Sequence, residues 1–405
     1  MDIEIDPTEA GFAPERLARI DRYLERFVDE GRLPGWQLVL TRRGKVVHDS
    51  SYGYRDLEAR TPTGHDSLFR IMSMTKPIVS VAAMTLWEEG AFQLSTPVSD
   101  FIPSFADVRV YQGGSDLRPN TVAAVEPIRM VHLLTHTSGL TYPFLRQHPV
   151  DAMYRERKLD TTVPTAIDLE GLCDELAALP LLFQPGTEWA YSMATDVLGR
   201  VIEVISGKSL GEFLAERIFR PLGMTETRFG RAADPEPHLV NLYAHTPDGL
   251  VRSDLFANGC DKASFESGGG GLISSAHDYH RFTQMMLRRG ELDGQRVIGS
   301  RTASFITTNH LPGGVDLDTY GRPLYSESPM RGSGFGLGFS VNLDPATAGR
   351  PGTPGSFGWG GMAGTRFWVD PVEELTMLFF TQVFSSTPLP MRETMPQLVY
   401  QALVD

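Results

Sequence analysis

The chain has 405 residues, 41% hydrophobic and 21% charged, with a formal charge of −13. That is the composition of a globular protein large enough for one big or two ordinary domains. The negative balance argues against nucleic acid or an anionic membrane surface as a partner, and no apolar run approaches the roughly 18 residues of a membrane span. The acidic start, Met1-Asp2-Ile3-Glu4-Ile5-Asp6-Pro7, lacks the apolar core of a secretory signal, so a cytoplasmic location is expected. Cys173 and Cys260 have no metal-ligand spacing and read as inert buried thiols.

From Pro14 to Glu30, Leu17, Ile20, Leu24 and Phe27 form a helical stripe, with Pro14 in the first turn. Residues 36–41 and 45–50 read as two strands joined at Arg42-Arg43-Gly44. A short extended segment, Ser67 to Met72, then leads into a helix over about 73–90 that is apolar on nearly every side, the pattern of a buried helix. From 91 to 250 the signals are mostly helical: 128–135, 168–178, 194–206 and 210–219, separated by Gly and Pro. Beyond 260 come a strand end at Leu272-Ile273-Ser274, a helix over 276–289 capped by Ser274 or Ser275, and a helix over 300–308. Strands follow at 336–342, 364–369 and 375–380, and a last helix at 391–404. Late strands at short spacing without intervening helices point to one antiparallel sheet built from both chain ends. The expected division is residues 1–72 plus 251–405 as a sheet domain and 73–250 as a mostly helical one, with a site in the cleft between them.

The buried helix opens with Ser73-Met74-Thr75-Lys76, the only Ser-x-x-Lys in the sequence. At i, i+3 the two side chains leave one helical face and can touch. A hydroxyl beside an amine able to lose its proton is a route to a nucleophile without histidine. Burying a lysine at the start of a central helix is costly unless it has a use. Tyr191 lies between the turn Gln184-Pro185-Gly186-Thr187 and the helix starting near Ala194. There the helix dipole and a nearby ammonium can pull a phenol toward general-base use; the alternative is a packed tyrosine with its hydroxyl bonded. The stretch Gly355 to Thr365 is a glycine-dense approach to a strand. It is either a place where backbone N–H groups meet an oxyanion or a bulge or turn. Three patterns carry less. Gly207-Lys208-Ser209-Leu210-Gly211 matches a nucleophile-elbow spacing but sits between two helices, so it reads as a C-cap followed by an N-cap. The run Gly268–Gly271 lacks the Lys-Ser or Lys-Thr of a phosphate loop. His132 and His136 lack a zincin frame and read as structural. No metal or cofactor is called for.

With Ser73-x-x-Lys76, Tyr191-Ser192-Met193 and Trp359-Gly360-Gly361 in order, the chain resembles the serine β-lactamase-related hydrolases. It looks most like family VIII carboxylesterases, which are similar to class C β-lactamases. The segments His132 to Leu140, Pro185 to Ser192 and Pro221-Leu222-Gly223-Met224-Thr225 carry the same resemblance, which runs from about residue 12 to the C-terminus. It implies an α+β fold of the β-lactamase/transpeptidase type, a central antiparallel sheet flanked by terminal helices with a helical inserted domain. It implies Ser73 as acylated nucleophile, Lys76 sharing a proton network with Tyr191, and Tyr191 deprotonating Ser73 and later activating water, with the choice of base between the pair open. The N–H groups of Ser73 and Met362 would form the oxyanion hole, and Trp359 would line the acyl pocket beside Gly360, Gly361 and Met193. Met193 stands where class C enzymes carry Asn, and Trp359-Gly360 where they carry Lys-Thr. The groups that could hold a lactam side chain and carboxylate are therefore missing, which suits small neutral, short-chain esters. The rivals are β-lactam or D-amino-acid peptide cleavage, or acyl transfer, at the same site. A silent ligand-binding scaffold is disfavoured because nucleophile, lysine and tyrosine all survive.

Overall fold

The computed structural model describes residues 1–159, 167–230, 237–253, 265–322, 330–384 and 391–405. Cys260 lies outside them; Cys173 is buried, as expected. Its centre is the strand β1 (Gly35–Arg42), in which every residue is buried. The hairpin to β2 (Lys45–Asp56) turns on Arg43 and Gly44, both at positive φ. Two left-handed residues give a turn whose twist matches that of its strands. Beyond β2 lies the two-residue edge strand β3 (Thr61–Pro62); proline at an edge breaks no inner ladder bond. The late strands β4 (Ser333–Phe335), β5 (Ser340–Asn342), β6 (Phe357–Gly360), β7 (Arg366–Asp370) and β8 (Leu375–Phe380) complete the sheet. Its eight strands run in the order β4-β5-β6-β7-β8-β1-β2-β3, antiparallel throughout. The two chain ends meet where Leu38 faces Phe379 and Leu40 faces Met377.

Alternation explains why β1 and β8 are apolar at successive positions. Leu38, Leu40, Met377 and Phe379 point into one core, shared with helix α1 (Pro14–Asp29) and the C-terminal helix (Met391–Tyr400). Val39, Leu378 and Phe380 point into the other, larger core with Tyr279 and Phe282 of the helix Ala276–Leu287. A strand covered on both faces loses the polar half of its pattern. The predicted stripe of α1 is the buried set, Leu17, Ile20, Leu24 and Phe27. Each such side chain contributes about 1.5–3 kcal/mol on burial.

The helix α2 (Thr75–Glu88) has buried residues at every position from Thr75 to Leu86. It packs against α3 (Ala194–Ser206), whose bounds match the predicted ones. Three other predicted helices are present in shorter form, Met130–Leu134, Leu169–Ala177 and Ser300–Ile306, and the one over 210–219 is helical throughout, as Leu210–Leu214 followed by a π-helical turn over Ala215–Phe219. Ser275, not Ser274, caps the helix Ala276–Leu287, accepting from the Asp278 N–H. The C-terminal helix stops at Tyr400.

Three differences are informative. Of the predicted strand over 336–342 only β5 is a strand; residues 336–339 form the connection from β4, with Gly338 at positive φ and its N–H donating to the Leu134 carbonyl. The glycine-dense approach contains a strand of its own, β6. A Cβ at Gly358 would stand 2.2 Å from the Phe367 carbonyl oxygen, so β6 needs glycine to sit close against β7. The mostly helical stretch also holds two unforeseen hairpins, Arg109–Gly114 with Pro119–Ala123 and Tyr243–Thr246 with Gly249–Arg252, and the helix Pro149–Glu156. Pairing across short polar strands left little hydrophobic alternation to read. Among the described residues, no helix is long and apolar enough to cross a membrane.

Candidate active site

Ser73 stands in a single 3-10 turn, Met72–Met74, that runs directly into α2. The turn is held from both sides. Thr365 Oγ1 donates to the Ile71 carbonyl at 3.3 Å, and Tyr279 OH donates to the Met74 carbonyl at 2.9 Å. Met72, the residue before Ser73, has φ of 47°, a conformation that costs a non-glycine residue about 1 kcal/mol or more. The surrounding bonds maintain that turn and leave Ser73 half-buried.

Lys76 is 1% exposed. Its Nζ donates to Ser73 Oγ at 3.3 Å, to Tyr142 OH at 2.9 Å and to the Gly269 carbonyl at 2.6 Å. Three donors thus meet three acceptors. The nitrogen also lies 4.6 Å from the centroid of the Tyr191 ring and 5.2 Å from that of Tyr142. Burial lowers the Lys76 pKa to about 7, with the Asp196 carboxylate pulling the other way. Asp196, in the first turn of α3, is itself fully buried. Its Oδ1 accepts from Ser267 Oγ at 2.6 Å and from the Gly269 N–H at 3.0 Å. Burial raises its carboxyl above the ordinary range, and Lys76 opposes that rise.

Tyr191 is buried on the loop before α3, packed among the rings of His136, Tyr142 and Trp359 at 4.9, 5.3 and 5.5 Å. Trp359, at the end of β6, donates Nε1–H to Tyr191 OH at 3.3 Å. Ser73, Lys76, Tyr191 and Trp359 therefore converge. Gly360 ends β6; at Gly361 a Cβ would lie 2.6 Å from the Ile71 carbonyl oxygen and 3.1 Å from Met72 Cβ, so this stretch runs against the turn that carries Ser73. Met362 follows, partly exposed, and its N–H donates to no described residue. Met193 is fully buried at the N-cap of α3, packed in the core. A cavity of about 250 Å³ adjoins Tyr191, lined also by Leu145, Leu182, His148 and Arg322.

The other sequence features take structural places. His132 Nδ1 accepts from the Arg129 N–H, and burial with the nearby Arg129 charge holds its pKa at about 4. His136 Nδ1 bonds Ser192 Oγ at 3.1 Å. Among the described residues, no cluster of His, Cys, Asp or Glu could hold a metal ion. Gly207 ends α3 at φ of 67°, and Ser209 caps the next helix through a capping box with Glu212. Ser209→Ala is expected to cost about 1 kcal/mol of stability and to leave turnover unchanged, as read by urea denaturation beside an ester assay. The run Gly268–Gly271 has a place in the site, because the Gly269 carbonyl accepts from Lys76 Nζ. The sequence does not mark Tyr142, Asp196 or Ser267, and marks Gly269 only as part of a glycine run. The sequence holds no clear signal for Asp196: with Arg200 and Glu203 at i+4 and i+7 it reads as part of the polar side of an amphipathic helix.

The sequence profile of the family described as Beta-lactamase matches residues 20–400. Esterase EstB of Burkholderia gladioli is 31% identical, with 93% of each chain covered. A putative D-alanyl-D-alanine carboxypeptidase of Escherichia coli is 26% identical, over 93% of this chain and 85% of the other. Among solved structures, EstCE1, described as a hydrolase with promiscuous acyltransferase activity, superposes with a TM-score of 0.80 at 26% identity, covering 95% of this chain and 99% of its own.

Proposed function

The chain belongs to the beta-lactamase family and is a serine hydrolase of it, and from that premise we propose that it cleaves small neutral carboxylic esters through an acyl-enzyme on Ser73. The observation that carries this reading is the 3.3 Å bond from a buried Lys76, near neutrality in its pKa, to the Ser73 hydroxyl. Ser73 Oγ attacks the ester carbonyl as its proton passes to the neutral Lys76 amine. The N–H groups of Ser73 and Met362 take the oxyanion; each such donor is worth on the order of 10²–10³-fold. The C–O bond to the alcohol breaks, and the alcohol leaves with a proton delivered through the Lys76–Tyr191 pair. Water then gives a proton to the same pair and attacks the acyl carbon, releasing the acid and returning Ser73 to its hydroxyl form. No step calls for a metal or cofactor.

Support for esters over lactams comes from Trp359 and Gly360, which offer no cation and no hydroxyl where class C enzymes carry Lys-Thr. The name of Esterase EstB points the same way. Acyl transfer to an alcohol is the second reading, favoured by the description of EstCE1. In a test with p-nitrophenyl butyrate, a burst of nitrophenol with a butyryl adduct on Ser73 is expected, nitrocefin turning over far more slowly. A serine-directed phosphonate that modifies some other residue, or a rate on nitrocefin exceeding that on the ester, overturns the assignment. Added alcohols that divert the acyl group into new esters would establish transfer.

The direction of the pH dependence follows from Lys76. The amine is protonated below a pKa of about 7 and neutral above it. kcat/KM on the ester is therefore expected to fall on the acid side of about pH 7 and to level off above it, as measured between pH 5 and 9. A profile that instead declines above pH 7 would assign the base to Tyr191 acting beside a charged Lys76.

A further inference from the structure

Lys76 is buried among two tyrosine rings and an imidazole. Tyr142 and Tyr191 present their rings to it. His136 is kept neutral by burial and by the lysine's own charge. One carboxylate completes the arrangement, and it reaches the amine through a single glycine. The Gly269 N–H donates to Asp196 Oδ1 at 3.0 Å, and the Gly269 carbonyl accepts from Lys76 Nζ at 2.6 Å. Ser267 Oγ holds the same carboxylate oxygen at 2.6 Å. There is no room for a side chain on the glycine, since a Cβ there would stand 2.5 Å from Asp196 Oδ2 and 2.9 Å from Tyr142 OH. Asp196 Oδ2 is buried and has no hydrogen-bond partner among the described residues. A buried carboxylate oxygen left without a bond is expensive unless a nearby positive charge compensates it. Cys173, on the helix Leu169–Ala177, feels the Asp196 charge, and burial first and that charge second hold its thiol neutral.

We propose that Asp196 is a positioning residue for this reaction: its carboxylate anchors Gly269, whose carbonyl anchors the Lys76 amine beside Ser73, and it is the buried counter-ion of that amine. The inference rests on the reading of Lys76 as the proton acceptor for Ser73. Asp196 touches no reacting atom, so it acts only through Lys76. Its negative charge opposes the loss of the lysine proton, and without it the amine sheds that proton at lower pH.

The test is Asp196→Asn, which keeps the shape and removes the charge. The acid limb of kcat/KM against pH is expected to move down by about one unit or more, with KM unchanged. A purely structural role would lower kcat at every pH and leave the limb in place, so a movement under about 0.3 unit overturns the proposal. If the asparagine variant does not fold, Ser267→Ala serves. It removes one bond that favours the charged carboxylate and is expected to move the limb in the same direction by less; an unmoved limb there also overturns the proposal. Titration of ¹³C-labelled lysine by NMR reads the Lys76 ionisation without any turnover. A wild-type protein inactive on esters would sink the esterase reading while that titration still decides the role of Asp196.

Discussion

Ser73→Ala is expected to abolish ester turnover, with a loss on the order of 10⁴- to 10⁶-fold, the range seen when a nucleophile is removed from a preorganised hydrolase. The change deletes one oxygen from a half-buried side chain at a turn secured by Thr365 and Tyr279, so the thermal midpoint should hardly move. The burst of nitrophenol and the butyryl adduct seen by intact-protein mass spectrometry should vanish together. A folded Ser73→Ala protein that still turns over p-nitrophenyl butyrate at the wild-type rate would end the account of the site. A protein that keeps slow turnover but forms no adduct would fit the residual help of oxyanion donors alone.

Lys76→Met has the second largest expected effect, and it reaches both chemistry and stability. Methionine fills the same unbranched space but cannot take a proton from Ser73, so turnover should fall by about 10²–10⁴-fold. It also strands Asp196 in the interior. Removing one partner of a buried charge pair costs about 3–5 kcal/mol, whereas neutralising both is often close to neutral. The double variant Lys76→Met with Asp196→Asn should therefore recover most of the lost stability and none of the activity. The pH dependence has a definite sign. Burial raises the Asp196 pKa in the fold, and Lys76 is the charge that holds it down. In Lys76→Met the carboxyl rises further above its unfolded value near 3.9. A group raised in the fold contributes stability that is full below its unfolded pKa and lost as pH rises through its folded one. The single variant should thus be most nearly wild type in mild acid and weaken toward neutral pH, while the double variant lacks that dependence. Urea denaturation at pH 5 and pH 8 checks this. Equal losses at both pH values would show that Asp196 carries no charge in the fold.

Much of the fold was legible because its signals are local. The stripe of α1, the hairpin of β1 and β2, the all-apolar α2 and the limits of α3 each depend on a period of 3.6 or 2 within one segment. The juxtaposition of Ser73 and Lys76 was equally local, one turn apart at the mouth of a helix that had to be buried. Strand β6 was different. Its glycines argue against a strand when read alone, and only the flanking strands β5 and β7 supply the ladder that makes it one.

By itself, then, the amino-acid order determined the helices and strands with a strong local period, that both chain ends share a sheet, and that Ser73 and Lys76 stand one turn apart at the start of a buried helix. Tertiary structure alone decided what surrounds that lysine. Tyr142 is 66 residues away and Gly269 is 193, and Asp196 reaches the amine through the second of these. The reason is physical. A hydrogen bond or a buried counter-charge acts over a few ångströms of space, and no periodicity along the chain records which distant residues the packing of α2 against α3 brings within that reach.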